Sequence, residues 1–219
     1  MTGAVIFDLD GVIVSTDDCH YEAWKRLADE EGIYFDKKIN RRLRGVSRMD
    51  SLEIILERAS GTYSAEEKAA LADRKNRYYR ELIQKLTPAD LLPGVKSILE
   101  DLKTNGIKIA VGSSSKNAPL ILERIGLKDY FDAVVDGNDL TKSKPDPQVF
   151  LLAAERLGVA PEYCVVVEDA DAGVEAALAA GMQVVGVGTA ARNQRATLRA
   201  ETLAALTWKE LSRLVVDAG

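Results

Sequence analysis

Phe7-Asp8-Leu9-Asp10-Gly11-Val12-Ile13-Val14-Ser15-Thr16 is the stretch that decides the fold. It overlaps the apolar run Ala4-Val5-Ile6-Phe7, which is typical of a buried parallel strand. Two carboxylates therefore come at the carboxyl end of a strand, where open α/β sheets bind their ligands. Two like charges this close repel each other unless a cation or a shared proton relieves them. A hard divalent cation with oxygen ligands would do so.

Length and composition are typical of an ordinary globular protein, with 219 residues, 47% of them apolar and 29% charged. The formal net charge of −5, without a basic stripe, argues against a nucleic-acid partner. Cys19 and Cys164 form no disulfide framework, which favours a reducing compartment. No apolar run approaches the ~18 residues of a membrane span, and no cleavable leader precedes Asp8. We therefore expect a cytoplasmic protein without a membrane partner. A monomer is a separate expectation.

The second half of the chain alternates between helical and strand patterns. Such alternation predicts βαβ units and a doubly wound, mostly parallel sheet of the Rossmann-like type. The predicted strands after the first are 107–111, 133–135, 164–167 and 184–187, and the predicted helices are centred on 95–104, 117–125, 147–157 and 172–180. The polar segment 188–202 has no assignment.

Residues 16–88 show only helical spacing of apolar residues, so we expect an all-helical module inserted just after the first strand. The predicted α/β core is formed by residues 1–15 and 89–219. An independent helical domain is the alternative. A cap over the site fits better, because the insertion begins a few residues from the acid pair.

Three further polar clusters follow later strands. These are the run Ser113-Ser114-Ser115-Lys116-Asn117, Lys144 in the proline-containing turn Ser143-Lys144-Pro145-Asp146-Pro147, and the second acid pair Glu168-Asp169. Each cluster alone is more often a solvated turn or a helix cap. Because the carboxyl ends of parallel strands meet at one edge of the sheet, the four clusters together predict one site.

The chemistry that suits this set is phosphoryl transfer, in which catalysis is mainly positioning and charge stabilisation. Asp8 would be the nucleophile that becomes an aspartyl phosphate. Asp10 would be the general acid and base. Lys144 would neutralise phosphate charge and Ser113 would orient it. The predicted ligands of Mg²⁺ are Asp8, the carbonyl of Asp10 and Asp169, with Glu168 beside them.

These motifs resemble the signature of the haloacid dehalogenase superfamily. Together with His20, Trp24, the run 44–51 and Lys75, they are similar to the β-phosphoglucomutase family over most of residues 1–190. The resemblance implies Mg²⁺-dependent interconversion of β-D-glucose 1-phosphate and β-D-glucose 6-phosphate through a 1,6-bisphosphate. It also implies a haloacid dehalogenase-type core with a helical cap.

The resemblance implies roles residue by residue. Ser113, Ser114 and Lys144 would bind the transferring phosphate. The residues that would bind the sugar or the distal phosphate are Leu9, His20, Trp24, Gly45, Val46, Ser47, Arg48, Ser51, Lys75, Ser115, Lys116 and Asn117. Thr16 would lie at a hinge and Arg44 would support the cap loop.

Packing offers competing explanations for several of these residues. A lone histidine such as His20 is more often packed than functional, Trp24 on an amphipathic helix is by default core, and Lys75 on a charged helix is usually solvated. Arg48 lies among small residues in a loop, so its planar fork has little packing reason to be there and suits a phosphate.

The chain departs from the family pattern at three positions. Arg44 stands where lysine is expected, Ser114 replaces a small apolar residue, and Ala170 replaces a common serine. No catalytic group is lost by these changes.

Two other functions remain open on the residues alone. A phosphatase of a small sugar phosphate would share Asp8, Asp10, Ser113, Lys144 and Asp169. A non-catalytic regulator that binds a metal or ligand is less favoured, because a binder needs no nucleophile.

Overall fold

The computed structural model describes residues 3–43 and 47–215. The chain divides into two compact units, Met1–Ser15 with Thr87–Gly219, and Thr16–Leu86. Over the described residues, the strands are β1 (Ala4–Phe7), β2 (Lys108–Gly112), β3 (Ala133–Val135), β4 (Cys164–Glu168), β5 (Gln183–Gly186) and β6 (Leu198–Arg199). The helices are α1 (Asp17–Glu30), α2 (Lys37–Asn40), α3 (Arg48–Leu56), α4 (Ala65–Ile83), α5 (Val95–Thr104), α6 (Ala118–Arg124), α7 (Gln148–Leu157), α8 (Asp171–Ala179) and α9 (Trp208–Val215).

The strands of the first unit form one sheet in the order β3-β2-β1-β4-β5-β6, and every described pair is parallel. The chain builds outward from β1 first to one side and later, from β4, to the other. The strand order therefore reverses beside β1, which is the position where doubly wound sheets bind ligands.

The two faces of the sheet are covered by different helices. Alternate residues such as Ile6 and Val166 pack with Phe150 of α7 and Val174 of α8 in one apolar cluster. Helices α5 and α9 contact each other and pack against β2 and β4 on the other face. Because both faces are covered, the central strands are apolar along their length, and all four residues of β1 are buried.

A tight turn follows β1. Gly11 has a φ of 88°, and its N–H donates to the carbonyl of Val14 at 2.7 Å. A side chain at position 11 would overlap the carboxylate of Asp169. Glycine is therefore required twice here, for its left-handed backbone and for the close approach of the second acid pair.

Helices α1 to α4 form the second unit. Helices α1 and α4 pack side by side, α3 contacts α4, and the apolar core includes Trp24, Leu27 and Leu52. Helix α4 begins with a capping box in which Ser64 and Glu67 satisfy each other's backbone N–H groups. Ser47 caps α3 by accepting from the N–H of Asp50.

The prediction of a doubly wound parallel sheet with inserted helices is confirmed. The structure adds β6 within the unassigned segment 188–202, and α9 after that segment. Strand β6 has two residues, which is too short for a hydrophobic period to be visible. None of the helices that the structure describes has the length and apolar character needed to cross a membrane.

Candidate active site

Asp8 follows the last residue of β1 and lies at the centre of the candidate site. Phe7 pairs with Val111 of β2 and Val167 of β4, so the residues that follow these strands emerge at the same edge of the sheet. The Asp8 carboxylate accepts a hydrogen bond from Lys144 Nζ at 2.6 Å. The same ammonium lies 2.5 Å from Glu168 Oε1, so it bridges the ends of two neighbouring strands.

Burial sets the electrostatics of these groups. Asp8 is 8% exposed and Glu168 1% exposed. Burial raises the pKa of Asp8 to about 7, with Lys144 opposing the rise and Glu168 adding to it. Burial would lower the pKa of Lys144, but Asp8 and Glu168 together raise it above its ordinary value. Lys144 therefore stays charged and stabilises whatever negative charge lies beside it.

The arrangement fits a divalent metal. Among the described residues, Asp8, Glu168 and Asp169 form a cluster whose carboxylate oxygens lie within 4.8 Å of one another. Burial, Asp8 and Glu168 raise the pKa of Asp169 to about 8. A hard divalent cation prefers oxygen ligands, and binding one would relieve the repulsion among these carboxylates. The cluster does not include the side chain of Asp10, whose predicted ligand atom is its backbone carbonyl.

Glycines allow the second acid pair to fit. A side chain at Gly173, in the first turn of α8, would overlap the Glu168 carboxylate. Glu168 also accepts from the N–H of Ala170 at 2.9 Å. The backbone carbonyl of Asp169 accepts from Thr189 Oγ1 at 2.5 Å and from the N–H of Ala190 at 2.9 Å. The 3-10 turn after β5 thus fixes the backbone beside the acid pair.

The serine-rich turn after β2 is ordered by its own side chains. Ser113 Oγ accepts from the N–H of Ser115 at 3.1 Å, and Ser115 Oγ accepts from the N–H of Asn117 at 3.2 Å. Ser113 and Asn117 are buried, whereas Ser114 and Lys116 are exposed. The accepted bond orients the Ser113 hydroxyl to donate its own proton elsewhere.

A loop after β3 supports this turn. The N–H of Gly137 donates to the carbonyl of Ser115 at 3.2 Å, and Asn138 Nδ2 donates to the carbonyl of Lys116 at 3.2 Å. A side chain at Gly137 would overlap the carbonyl of Ser114. These hydrogen bonds and this close approach hold the serine-rich turn against the loop after β3.

The helical unit brings a second set of predicted residues together. Lys75 Nζ lies 2.7 Å from His20 Nδ1, and 4.8 Å from the ring centroid of Trp24. Lys75 is buried, and so is Trp24. Burial, Lys75 and Arg48 hold the pKa of His20 well below its usual range, so the imidazole is neutral.

Arg48 is the first residue of α3. Its side chain is half-buried, and burial lowers the pKa of its guanidinium while Asp73 opposes that shift. Ser51 is buried in the same helix. Ser47 donates to Asp50 Oδ2 at 2.6 Å, so its hydroxyl is engaged in capping.

Other predicted residues lie elsewhere. The Leu9 side chain is fully buried in the α/β unit. Thr16 is buried and its hydroxyl lies 2.9 Å from Tyr79 Oη. Arg44, Gly45 and Val46 lie outside the described residues.

Sequence reasoning did not identify the supporting residues Gly137 and Gly173, and it gave Tyr79 no role. The two glycines lack any local turn signal that would distinguish them from ordinary loop or helix glycines. Tyr79 lies four residues after Lys75, and this helical spacing was the one available indication that both share a face of α4.

The chain belongs to the haloacid dehalogenase-like hydrolase family, whose model matches residues 2–181. It is 52% identical over 187 residues to the β-phosphoglucomutase of Bacillus subtilis, covering 84% of this chain and 83% of that protein. It is 36% identical over 218 residues to a phosphorylated carbohydrates phosphatase of Thermotoga maritima, covering 98% of each. The crystal structure of β-phosphoglucomutase from Clostridium difficile superposes with a TM-score of 0.89 at 42% identity, covering 98% of this chain and 97% of that one.

Metal binding is expected to reverse a pH-dependent loss of stability. The pKa of Asp169 rises from 3.8 in the unfolded chain to about 8 in the folded one, and Asp8 rises in the same direction. The folded state therefore binds more protons within this window, and the contribution of both groups to stability falls as pH rises through it. A cation on the ionised carboxylates removes that penalty.

The measurement is the unfolding temperature with Mg²⁺ and with EDTA at pH values between the unfolded and folded pKa of Asp169, from 3.8 to about 8. The stabilisation by Mg²⁺ should grow with pH up to about 8. Asp169→Asn should abolish most of it, whereas Asp129→Asn, on an exposed turn, should not. Stabilisation of equal size at every pH would contradict the assignment.

Proposed function

We propose that this protein is a β-phosphoglucomutase, which converts β-D-glucose 1-phosphate into β-D-glucose 6-phosphate through a phosphoaspartate and a 1,6-bisphosphate. The observation that carries the proposal is the Asp8 carboxylate held at the sheet edge by Lys144, beside Glu168 and Asp169. The identity of 52% with a protein named as this enzyme supports the choice of substrate and outcome. We also propose that it acts as a cytoplasmic monomer.

Asp8 carries the phosphoryl group between the two sugar positions. One carboxylate oxygen attacks phosphorus as the bond from phosphorus to a sugar oxygen breaks, which gives an aspartyl phosphate and a sugar hydroxyl. In the reverse sense, a hydroxyl of the other position attacks the aspartyl phosphate. The bisphosphate forms when the phosphoenzyme donates to the 6-hydroxyl of glucose 1-phosphate, and the enzyme is rephosphorylated from position 1.

Asp10 is proposed to move the proton. It accepts the proton of the attacking hydroxyl and returns a proton to the departing sugar oxygen. Asp10 comes two residues after Asp8 in the turn that Gly11 closes, and its backbone pairs with Val14. This turn gives the acid and the nucleophile a fixed spacing.

The transferring phosphate is proposed to be bound by Lys144 and Ser113. Lys144 stays charged between two carboxylates, and the Ser113 hydroxyl is oriented by Ser115. Mg²⁺, bound by Asp8 and Asp169, would shield the negative charge of the phosphoryl oxygens from that of the carboxylate. Preorganised charge of this kind is the main source of catalysis in phosphoryl transfer.

The distal phosphate is proposed to be bound by Arg48 together with Ser115, Lys116 and Asn117. A mutase must bind both ends of a bisphosphate, so it needs a second anion site that a hydrolase does not. Arg48 is half-buried, so its planar fork would meet a phosphate with less competition from water. His20 and Lys75 are proposed to bind the sugar.

A phosphatase of a small sugar phosphate is the second candidate. The 36% identity over nearly the full length with a carbohydrate phosphatase favours it as the alternative. Both functions use the same nucleophile and acid, so they differ only in whether a sugar hydroxyl or water accepts the phosphoryl group.

A direct assay shows whether a sugar hydroxyl or water accepts the phosphoryl group. With Mg²⁺, β-glucose 1-phosphate and a catalytic amount of the bisphosphate, glucose 6-phosphate should form faster than free phosphate. Faster release of phosphate from the same substrate would replace the mutase by the phosphatase.

Asp8→Asn should abolish covalent phosphorylation, because an amide oxygen is a poor nucleophile and lacks the negative charge. Intact mass after incubation with a phosphoryl donor should show one added phosphate on the wild type and on Asp129→Asn, and none on Asp8→Asn. A phosphate that persists on Asp8→Asn would place the nucleophile elsewhere.

Arg48→Ala should lower kcat/KM for β-glucose 1-phosphate by roughly ten- to a hundredfold, the range for losing a charged hydrogen bond. Arg77→Ala removes the same charge from an exposed position of α4 and is the matched control. Arg48→Lys should recover only part of the activity, because it lacks the bidentate fork. Equal effects of Arg48→Ala and Arg77→Ala would refute the assignment.

A further inference from the structure

Tyr79 is a buried residue that contacts three of the predicted functional residues of the helical unit. Its ring stacks on that of His20, with centroids 4.1 Å apart and planes at 26°. Its hydroxyl lies 2.9 Å from Thr16 Oγ1. One side chain of α4 therefore joins the residue that precedes α1 to the imidazole four residues further along.

Thr16 departs from the usual behaviour of its position. It is the N-cap residue of α1, where a threonine hydroxyl ordinarily accepts from a backbone N–H of the first turn. Within the described helix α1 it caps no N–H group, and its hydroxyl pairs with Tyr79 instead. A local rule broken in favour of a tertiary contact is typical of a functional site.

The His20 ring has a second contact besides the Tyr79 stack, because Lys75 lies at the edge of the ring. Lys75 precedes Tyr79 by four residues, so both project from the same face of α4. The Lys75 ammonium has three N–H donors and no acceptor, and it lies 2.7 Å from His20 Nδ1. With Lys75 charged, Nδ1 accepts, and the ring proton of the neutral imidazole is then on Nε2.

Rotation of the ring is opposed by both contacts. Turning the imidazole about its bond to Cβ would separate Nδ1 from Lys75 and break the parallel stack with Tyr79. Lys75 itself lies 4.7 Å from the Tyr79 ring centroid, so the same ring also faces the ammonium. The side chains of His20, Lys75 and Tyr79 are therefore in mutual contact.

We propose that Tyr79 is a positioning residue for His20: its hydroxyl is anchored on Thr16, its ring fixes the plane of the imidazole, and His20 thereby offers an Nε2–H donor to an oxygen of the phosphosugar. The substrate in this statement rests on the proposed function, whereas the tautomer and the orientation of His20 do not. His20 would bind the sugar and would not act as a base.

The tautomer can be measured without activity, because His20 is the one histidine of the chain. In the Mg²⁺-loaded protein labelled with ¹⁵N-histidine, two-bond proton–nitrogen correlations should show the Nε2–H form. Tyr79→Leu should shift the pattern toward a mixture of tautomers. Tyr78→Phe, which removes a phenol bonded to Glu30 on the same helix, should leave it unchanged. An Nδ1–H form in the wild type, or an unchanged pattern in Tyr79→Leu, overturns the proposal.

Kinetics separate positioning from folding. Tyr79→Phe and Thr16→Val each remove the same hydrogen bond, and each should lower kcat/KM for β-glucose 1-phosphate by roughly two- to tenfold. The double variant should lose no more than either single one, because the partners act as a unit. Losses that multiply, or a lower unfolding temperature with unchanged kcat/KM, overturn the proposal.

These two variants keep the proposal testable even if Tyr79→Leu does not fold, because they preserve the buried volume. Failure of this proposal can also be distinguished from failure of the proposed function. A wild type that forms no glucose 6-phosphate refutes the mutase and the sugar donor role together, while the histidine spectra still decide whether Tyr79 positions His20.

Discussion

The ion pair network around Lys144 is the interaction on which the active-site edge depends. Taking one carboxylate out of water costs several kcal/mol, so Asp8 and Glu168 would be unfavourable as isolated buried charges. One ammonium within hydrogen-bond distance of both offsets that cost. With Asp169 included, three carboxylates face one ammonium, and the remaining excess of negative charge is what a divalent cation would balance.

This network constrains the whole α/β unit. Asp8 and Lys144 are separated by 136 positions in the sequence, so their contact depends on the register of several strands. Phe7 aligns with Val167, and the N–H of Asp8 donates to the carbonyl of Val167 at 2.9 Å. A slip of one residue would turn every side chain to the opposite face and separate the charges. The packing of the apolar strands and their covering helices thus determines the position of the charged side chains.

The sequence was sufficient to predict this framework and its polar ends. Buried parallel strands are readable as apolar runs, and the carboxyl end of each run identified Asp8, Ser113 and Glu168. The local pattern around Leu198 was insufficient to predict β6, since a strand of two residues has no period. Gly137 and Gly173 were missed for another reason, because a close approach between distant segments leaves no trace in the residues next to them.

In the helical unit, too, the contacts between distant residues could not be predicted from local sequence. His20 and Trp24 are four residues apart on α1, and Lys75 and Tyr79 are four residues apart on α4, so each pair shares a helix face. Each pair alone is explained by packing. The contacts between the two pairs exist only because α1 and α4 pack side by side, which brings Lys75 Nζ to the edge of the His20 ring and the Tyr79 ring to its face.

The choice between a mutase and a hydrolase is a choice of phosphoryl acceptor. Both classes are represented among the relatives, so the shared nucleophile and acid do not decide it. A histidine near the substrate could activate water if it had a basic nitrogen available. In this chain Nδ1 of His20 lies 2.7 Å from Lys75 Nζ, and in the proposed tautomer it accepts from that ammonium while burial keeps the imidazole neutral. Such a residue can donate to a sugar oxygen but cannot take a proton from water. In the proposed mechanism general base catalysis then remains with Asp10, and the proposed sugar binding by His20 adds no second route to hydrolysis.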